Sequence, residues 1–174
     1  ARQRDASVDK ILQSRGGKLT TFKDQVIFER GEVMKPDGNP YTIFTPYSKT
    51  WKAKVTDFYI RPYPTVKYVH ALRQHSGLPF PTLEDIGFAA AAQEFPPRVV
   101  RRGVISQYDK TRNFPAMRGT TRLSVHLRFG TVSIRNLVQL AMKENQVWLN
   151  ELIWREFYQM ILFHFPQIEN QSFK

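Results

Sequence analysis

Apolar residues return at helical spacing in three parts of this chain, and a long proline-punctuated stretch separates the second from the third. Val8, Ile11 and Leu12 share a helical face and Gly16-Gly17 follows them, which predicts a helix from Ala1 to Ser14. Tyr47, Trp51 and Val55, spaced by four, predict a second helix over residues 46–56. Ser133 is placed to cap a helix from Ile134 to about Lys143. A last helix runs from about Asn145 to Phe165, where Pro166 stops it, and it is apolar nearly all round. Such a helix expects burial in a larger helical body. Two short runs rich in Thr, Phe, Val and Ile, Lys18 to Phe22 and Val26 to Phe28, read as strand-like pieces. Lys35-Pro-Asp-Gly-Asn-Pro40 is a turn cluster.

Residues 57–97 show no sustained period. Pro62, Pro64, Pro79, Pro81, Pro96 and Pro97 interrupt them, so a packed domain is not expected there. A short helix over Val66 to Gln74 is predicted, and Thr82-Leu-Glu-Asp85 carries a helix-start pattern, with Thr82 as cap and Asp85 three residues on.

Charge adds a partner class to this picture. The 174 residues carry a net charge of +11, and the excess is uneven. Between Arg98 and Arg135 nine basic residues face one acid, Asp109, a local net of +8. Such a block favours polyanions, either nucleic acid or cofactor phosphates, although a solvated basic face has the same composition. The absence of cysteine excludes disulfides and thiolate metal sites and fits a reducing cytoplasm. The four histidines, 70, 75, 126 and 164, have no ligand spacing, so no metal is expected.

Candidate chemistry concentrates in Trp148-Leu-Asn-Glu-Leu-Ile-Trp-Arg-Glu-Phe-Tyr158. Glu151, Trp154 and Tyr158 fall on one helix face, and Glu151 precedes Arg155 by four, the favourable order for an ion pair. An aromatic platform beside a paired carboxylate suits a flat ring with polar edges, such as a base. The same residues also fit a core tryptophan and a surface Glu–Arg pair. Further back, Gly119-Thr-Thr-Arg-Leu-Ser124 sets three hydroxyls and an arginine around a helix start, where free N–H groups can hold a diphosphate. A capped helix with a salt-bridging arginine is the other reading.

The 148–158 run resembles the DNA photolyase and cryptochrome family. Tyr108-Asp-Lys-Thr-Arg-Asn-Phe-Pro115, Gly119 to Ser124 and His126-Leu-Arg-Phe-Gly130 resemble its flavin-phosphate segment. Tyr41-Thr-Ile-Phe-Thr-Pro-Tyr-Ser48 with Trp51 resembles the end of its nucleotide-binding-like domain. The resemblance implies a mainly α chain in three parts. Residues 1–56 would end an α/β, Rossmann-like antenna domain, residues 57–97 would link, and residues 98–174 would begin the all-α FAD-binding domain. The chain then reads as an internal fragment of a larger cytoplasmic, bacterial enzyme, with strand-helix units before Ala1 and a helical section after Lys174.

By the same resemblance FAD is the cofactor, held here by Tyr108, Thr120, Thr121, Arg122, Leu123, Ser124, Trp148 and Arg155. Thr121 stands where relatives most often carry serine, which keeps the hydroxyl. Glu151 and Trp154 would be catalytic, and Asn150, Glu151, Trp154, Arg155 and Tyr158 would meet UV-damaged DNA. The implied reaction is light-driven splitting of cyclobutane pyrimidine dimers by electron transfer from reduced FAD. Relatives that repair (6-4) lesions tend to show Gly-Gln where Asn150-Glu151 stands, and plant-type cryptochromes tend to lose the stacking tryptophan. The antenna pigment, of folate or deazaflavin type, is left open. So are a cryptochrome-like photoreceptor and a plain basic DNA-binding module. The whole protein is expected to be a monomer and the fragment, with apolar surface uncovered, to self-associate.

Overall fold

The computed structural model describes residues 2–72, 77, 79–89, 91–92 and 94–173. Eight α-helices appear among them: α1 (Arg2–Gln13), α2 (Phe44–Lys54), α3 (Asp57–Ile60), α4 (Arg102–Ser106), α5 (Tyr108–Thr111), α6 (Ser124–Arg128), α7 (Ile134–Glu144) and α8 (Gln146–His164). Helix α8 is the axis of the fold, packing on α2, α5 and α7. Its apolar character on all sides follows from that position: Trp148, Leu149, Leu152, Ile153, Phe157, Met160 and Ile161 are all buried.

Each long helix begins and ends for a local reason. Helix α1 closes in a Schellman motif, with Gly17 N–H on Leu12 C=O at 2.8 Å and Gly16 N–H on Gln13 C=O at 3.1 Å. Gly16 sits at φ +73°, which a residue without Cβ adopts without strain. The Ser133 hydroxyl accepts from Asn136 N–H at 3.3 Å and caps α7. One residue, Asn145, then turns the chain from α7 into α8. Its side-chain oxygen accepts from Val147 and Trp148 N–H at 2.9 and 3.1 Å. Its Nδ2 donates to the Asp109 carboxylate at 2.9 Å and to Ser106 C=O at 3.4 Å, tying α4 and α5 to the start of α8. Asn145→Ala should therefore lower stability by about 1–2 kcal/mol in denaturant unfolding of the intact protein, whereas Asn145→Asp should retain most of the cap.

The core is one cluster. Ile27, Phe28, Val33, Tyr47, Trp51 and Ile60 from the first third join Ile105, Leu123, Leu137, Val138 and the buried face of α8. A carboxylate lies at its centre. Glu156, 4% exposed, accepts from Ile27 N–H at 2.7 Å, Phe28 N–H at 3.1 Å and the Trp51 indole N–H at 2.7 Å.

That arrangement corrects the strand expectation. Lys18 to Phe22 and Val26 to Phe28 form no strand, and no strand occurs among the described residues. A strand needs a neighbouring strand to take its N–H groups. Here a side chain on α8 takes those of Ile27 and Phe28 instead. Over residues 1–56 the described secondary structure is therefore helices α1 and α2 with irregular chain between them.

The proline-rich stretch departs from its composition at three places, the first being α3, which packs on α7 and buries Ile60 in the core. A 3-10 turn covers Thr65–Ala71 in place of the helix expected from Val66, and Gln74 lies outside the described residues. Thr82 and Asp85 form the reciprocal cap, Asp85 N–H to Thr82 Oγ1 at 3.2 Å and Thr82 N–H to Asp85 Oδ2 at 2.8 Å. The cap leads into a single turn that Gly87, at φ +84°, terminates. Phe80, Leu83, Phe88 and Phe95 stay exposed, so no packing extends that turn into a helix.

Candidate flavin and DNA site

A cavity of about 550 Å³ opens between α8 and the segment joining α5 to α6. Trp148, Glu151, Leu152, Arg155 and Gln159 line it from α8, a stripe at helical spacing. The other wall is Tyr108, then Thr120 to Ser124, then Leu127 and Arg128. Two contacts fix that wall. Leu123 is buried in the core, and Gly119 presses against Thr111 so closely that a Cβ would lie 2.7 Å from its atoms. Arg122 adopts φ +53°, rare for a residue with a Cβ. Helix α6 begins at Ser124 and no side chain caps it.

All eight residues expected at the cofactor line this one cavity: Tyr108, Thr120, Thr121, Arg122, Leu123, Ser124, Trp148 and Arg155. One end offers hydroxyls and guanidinium groups. Trp148, Leu123, Leu127 and Leu152 supply apolar wall, and Glu151 and Gln159 add polar groups from α8. A volume within the usual range of about 300–1,000 Å³ and this split of polar and apolar walls suit a large phosphate-bearing ring system. The salt-bridging role considered for Arg122 is not adopted, since no acid pairs with it among the described residues.

The pairing expected within α8 is replaced by pairs between elements. Glu151 forms an ion pair with Arg112, not with Arg155. Arg155 instead donates to Gln25 C=O at 2.6 Å and Leu127 C=O at 3.0 Å. Two carbonyls without N–H partners hold a guanidinium better than an exposed carboxylate four residues away, because they face the half-buried side. Burial lowers the Arg155 guanidinium from its ordinary value, and Arg128 acts in the same direction. Arg112 also lies over the Tyr108 ring, 5.7 Å from its centroid. Burial, and then Glu151, raise the Tyr108 phenol above its usual value.

Beside the cavity stands an aromatic stack. Trp154 lies parallel to Phe44 of α2, centroids 3.6 Å apart and planes within 5°. Tyr158 stacks against Trp154 at 5.3 Å and 23° and is 57% exposed. Glu151 is thus the one residue shared by the cavity wall and the face that carries Trp154 and Tyr158. Asn150, expected at the DNA, lies away from the cavity wall, and its buried Oδ1 has no hydrogen-bond partner.

Comparison with known proteins covers nearly the whole chain. The family model described as DNA photolyase matches residues 1–67. The deoxyribodipyrimidine photo-lyase of Synechococcus sp. is 30% identical over 206 residues, covering 99% of this chain and 41% of the relative. The one of Halobacterium salinarum is 29% identical, covering 100% of this chain and 41% of the relative. That of Escherichia coli is 29% identical, covering 96% and 39%. The chain is thus similar to deoxyribodipyrimidine photo-lyases over nearly its whole length. It spans about two fifths of the length of these curated relatives. No helix among the described residues is long and apolar enough to cross a membrane.

Three residues of consequence carry little signal in the sequence. Glu156 was passed over as one more charge in α8, although Ile153 and Met160, three before and four after it, mark its face as apolar. An acid on a buried face is the signal for a hydrogen-bonded carboxylate. Phe44 and Arg112 stand within motifs, but no local pattern gives Phe44 its stacking partner or Arg112 its acid.

Proposed function

We propose that the intact protein is a light-driven lyase that splits cyclobutane pyrimidine dimers in DNA, with this chain supplying the phosphate side of the FAD pocket and one wall of the lesion pocket. The observation that carries the reading is the convergence of Tyr108, Thr120 to Ser124, Trp148 and Arg155 on one cavity whose rim holds Glu151 beside the Trp154 stack. Similarity to the DNA photolyase family model over residues 1–67 and to deoxyribodipyrimidine photo-lyases over nearly the whole chain supports it.

The chain's own residues bind and orient. Thr120, Thr121 and Ser124 hydroxyls with Arg122 take phosphate oxygens by charge-assisted hydrogen bonds. Trp148 and Leu152 exclude water from the apolar end. Reduced FAD, when bound, supplies the electron. Trp154 stacks on the flipped-out bases, and Glu151 hydrogen-bonds their polar edges. The Arg112 ion pair holds the Glu151 carboxyl at the rim until a base edge competes for it. Residues 1–56 as the end of an antenna domain, residues 57–97 as its linker and a cytoplasmic location belong to the same proposal, as do an antenna pigment and a monomeric whole protein.

The test is thymine-dimer repair under blue light by the intact protein. Repair with one flavin per chain is the expected result. In Glu151→Ala, repair per absorbed photon on saturated complex should fall several-fold while flavin content stays the same. Flavin without repair would assign a photoreceptor, and no flavin at all would leave a basic DNA-binding module.

A further inference from the structure

A second cavity, about 170 Å³, lies behind the Thr120 to Arg122 segment, on the side away from α8. Arg101, Arg118 and Arg122 line it together with Thr120 and Thr121, and no carboxylate does. Arg118 and Arg122 are close in sequence, and folding brings Arg101 to them. Among the described residues none of them is in an ion pair. Gathering like charges without a counter-charge is unfavourable in the free protein. The amides of Thr120, Thr121 and Arg122 donate to no backbone carbonyl there. Arg122 holds its left-handed conformation at the same point. Guanidinium groups, two hydroxyls and open N–H groups are the donor set of a phosphate site.

We infer that this cavity anchors a backbone phosphate of nucleic acid, with Arg101 and Arg118 as the contacts that the flavin cavity does not share. Solvent exposure decides between the two sources of phosphate. Arg101, Arg118 and Arg122 are all exposed, which suits a strand passing over the surface. A cofactor group would be enclosed. The anchor sits across one segment from the flavin cavity, so it sets the register of a strand relative to the Glu151 rim. The inference rests on the nucleic-acid part of the proposed function and not on dimer repair.

The experiment is a titration of the intact protein with undamaged and dimer-containing duplex at several salt concentrations. Arg101→Gln with Arg118→Gln should weaken both DNAs alike, by about tenfold at fixed salt, and should lower the slope of log Kd against log salt by about 1 to 2. Flavin per chain should not change. Arg101→Lys with Arg118→Lys keeps the charges and should restore the slope, which separates lost contacts from a damaged fold. Unchanged affinity and slope in the glutamine variant would overturn the inference. So would lost flavin with DNA binding intact, since that assigns the arginines to the cofactor diphosphate. Because undamaged DNA is a probe, a protein that binds DNA but repairs nothing overturns the dimer-repair reading and leaves the anchor standing.

Discussion

Glu156→Ala should destabilise the intact protein by about 3–5 kcal/mol, measured by denaturant unfolding. The substitution removes the acceptor of three buried donors, Ile27 N–H, Phe28 N–H and the Trp51 indole N–H. Each unsatisfied buried donor costs about 1–3 kcal/mol, and water entering the vacated space offsets part of that. Glu156→Gln keeps one oxygen but turns an NH2 toward a donor, so it should cost about 1–3 kcal/mol. A loss below 1 kcal/mol in the alanine variant would mean that these contacts do not hold the first third of the chain to α8.

The same carboxyl should give stability a pH dependence. Burial raises Glu156 from its ordinary value to about 7, outweighing the three N–H donors and Arg155, which pull it down. The native state therefore holds a proton that the unfolded state has released between about pH 4.5 and 7. The contribution is fully present below the ordinary carboxylate value and is lost as pH rises through 7. It should be flat above that. Comparison of unfolding free energies at pH 5 and pH 8 checks this: the wild type should lose more stability over that interval than Glu156→Gln, which cannot titrate. Burial together with the Glu156 carboxylate keeps the Tyr47 phenol protonated throughout, so it adds nothing to the slope.

The second large effect is on recognition. Trp154→Ala in the intact protein should weaken dimer-containing DNA by about 1–3 kcal/mol, a factor of roughly ten to a hundred, and undamaged DNA far less. The motive is the stack in which Trp154 is the middle ring. Phe44 covers one face at van der Waals distance and is fixed by α2 and Phe157. Tyr158, exposed and more loosely set against the other face, is the ring that can swing aside for a base. Trp154→Phe should retain most of the discrimination. Titration at one salt concentration, on protein with normal flavin content, decides the matter: equal weakening of both DNAs would remove Trp154 from the lesion pocket.

Local rules accounted for the helices that carry their own signals. Ser133, Asn145, Gly16-Gly17 and Pro166 all act where they stand, within a few residues of the chain they cap or stop. That Tyr108, Thr120 to Ser124, Trp148 and Arg155 line one cavity follows from the fold, and spacing alone does not place them together. Two failures share a cause. Val26 to Phe28 has strand composition, yet whether such a segment pairs depends on what else lies beside it. Glu151 and Arg155 have ideal spacing for a pair, yet each found a better partner from another element.

What the sequence by itself determined, then, is the four longer helices, α1, α2, α7 and α8, with the stops and caps that carry a local signal, and the basic block, since propensity, capping and net charge act over a turn or two. The short helices α3, α4 and α5 carry no such signal. Only the tertiary structure decided which donors Glu156 accepts, which acid Arg112 meets, which ring lies under Trp154 and which arginines gather behind Thr120 to Arg122. Those contacts join residues up to 129 positions apart. Their partners are chosen by how α2, α5, α7 and the loops pack around α8, and by the cost of leaving a buried charge or donor such as those at Glu156 unsatisfied, which no local pattern records.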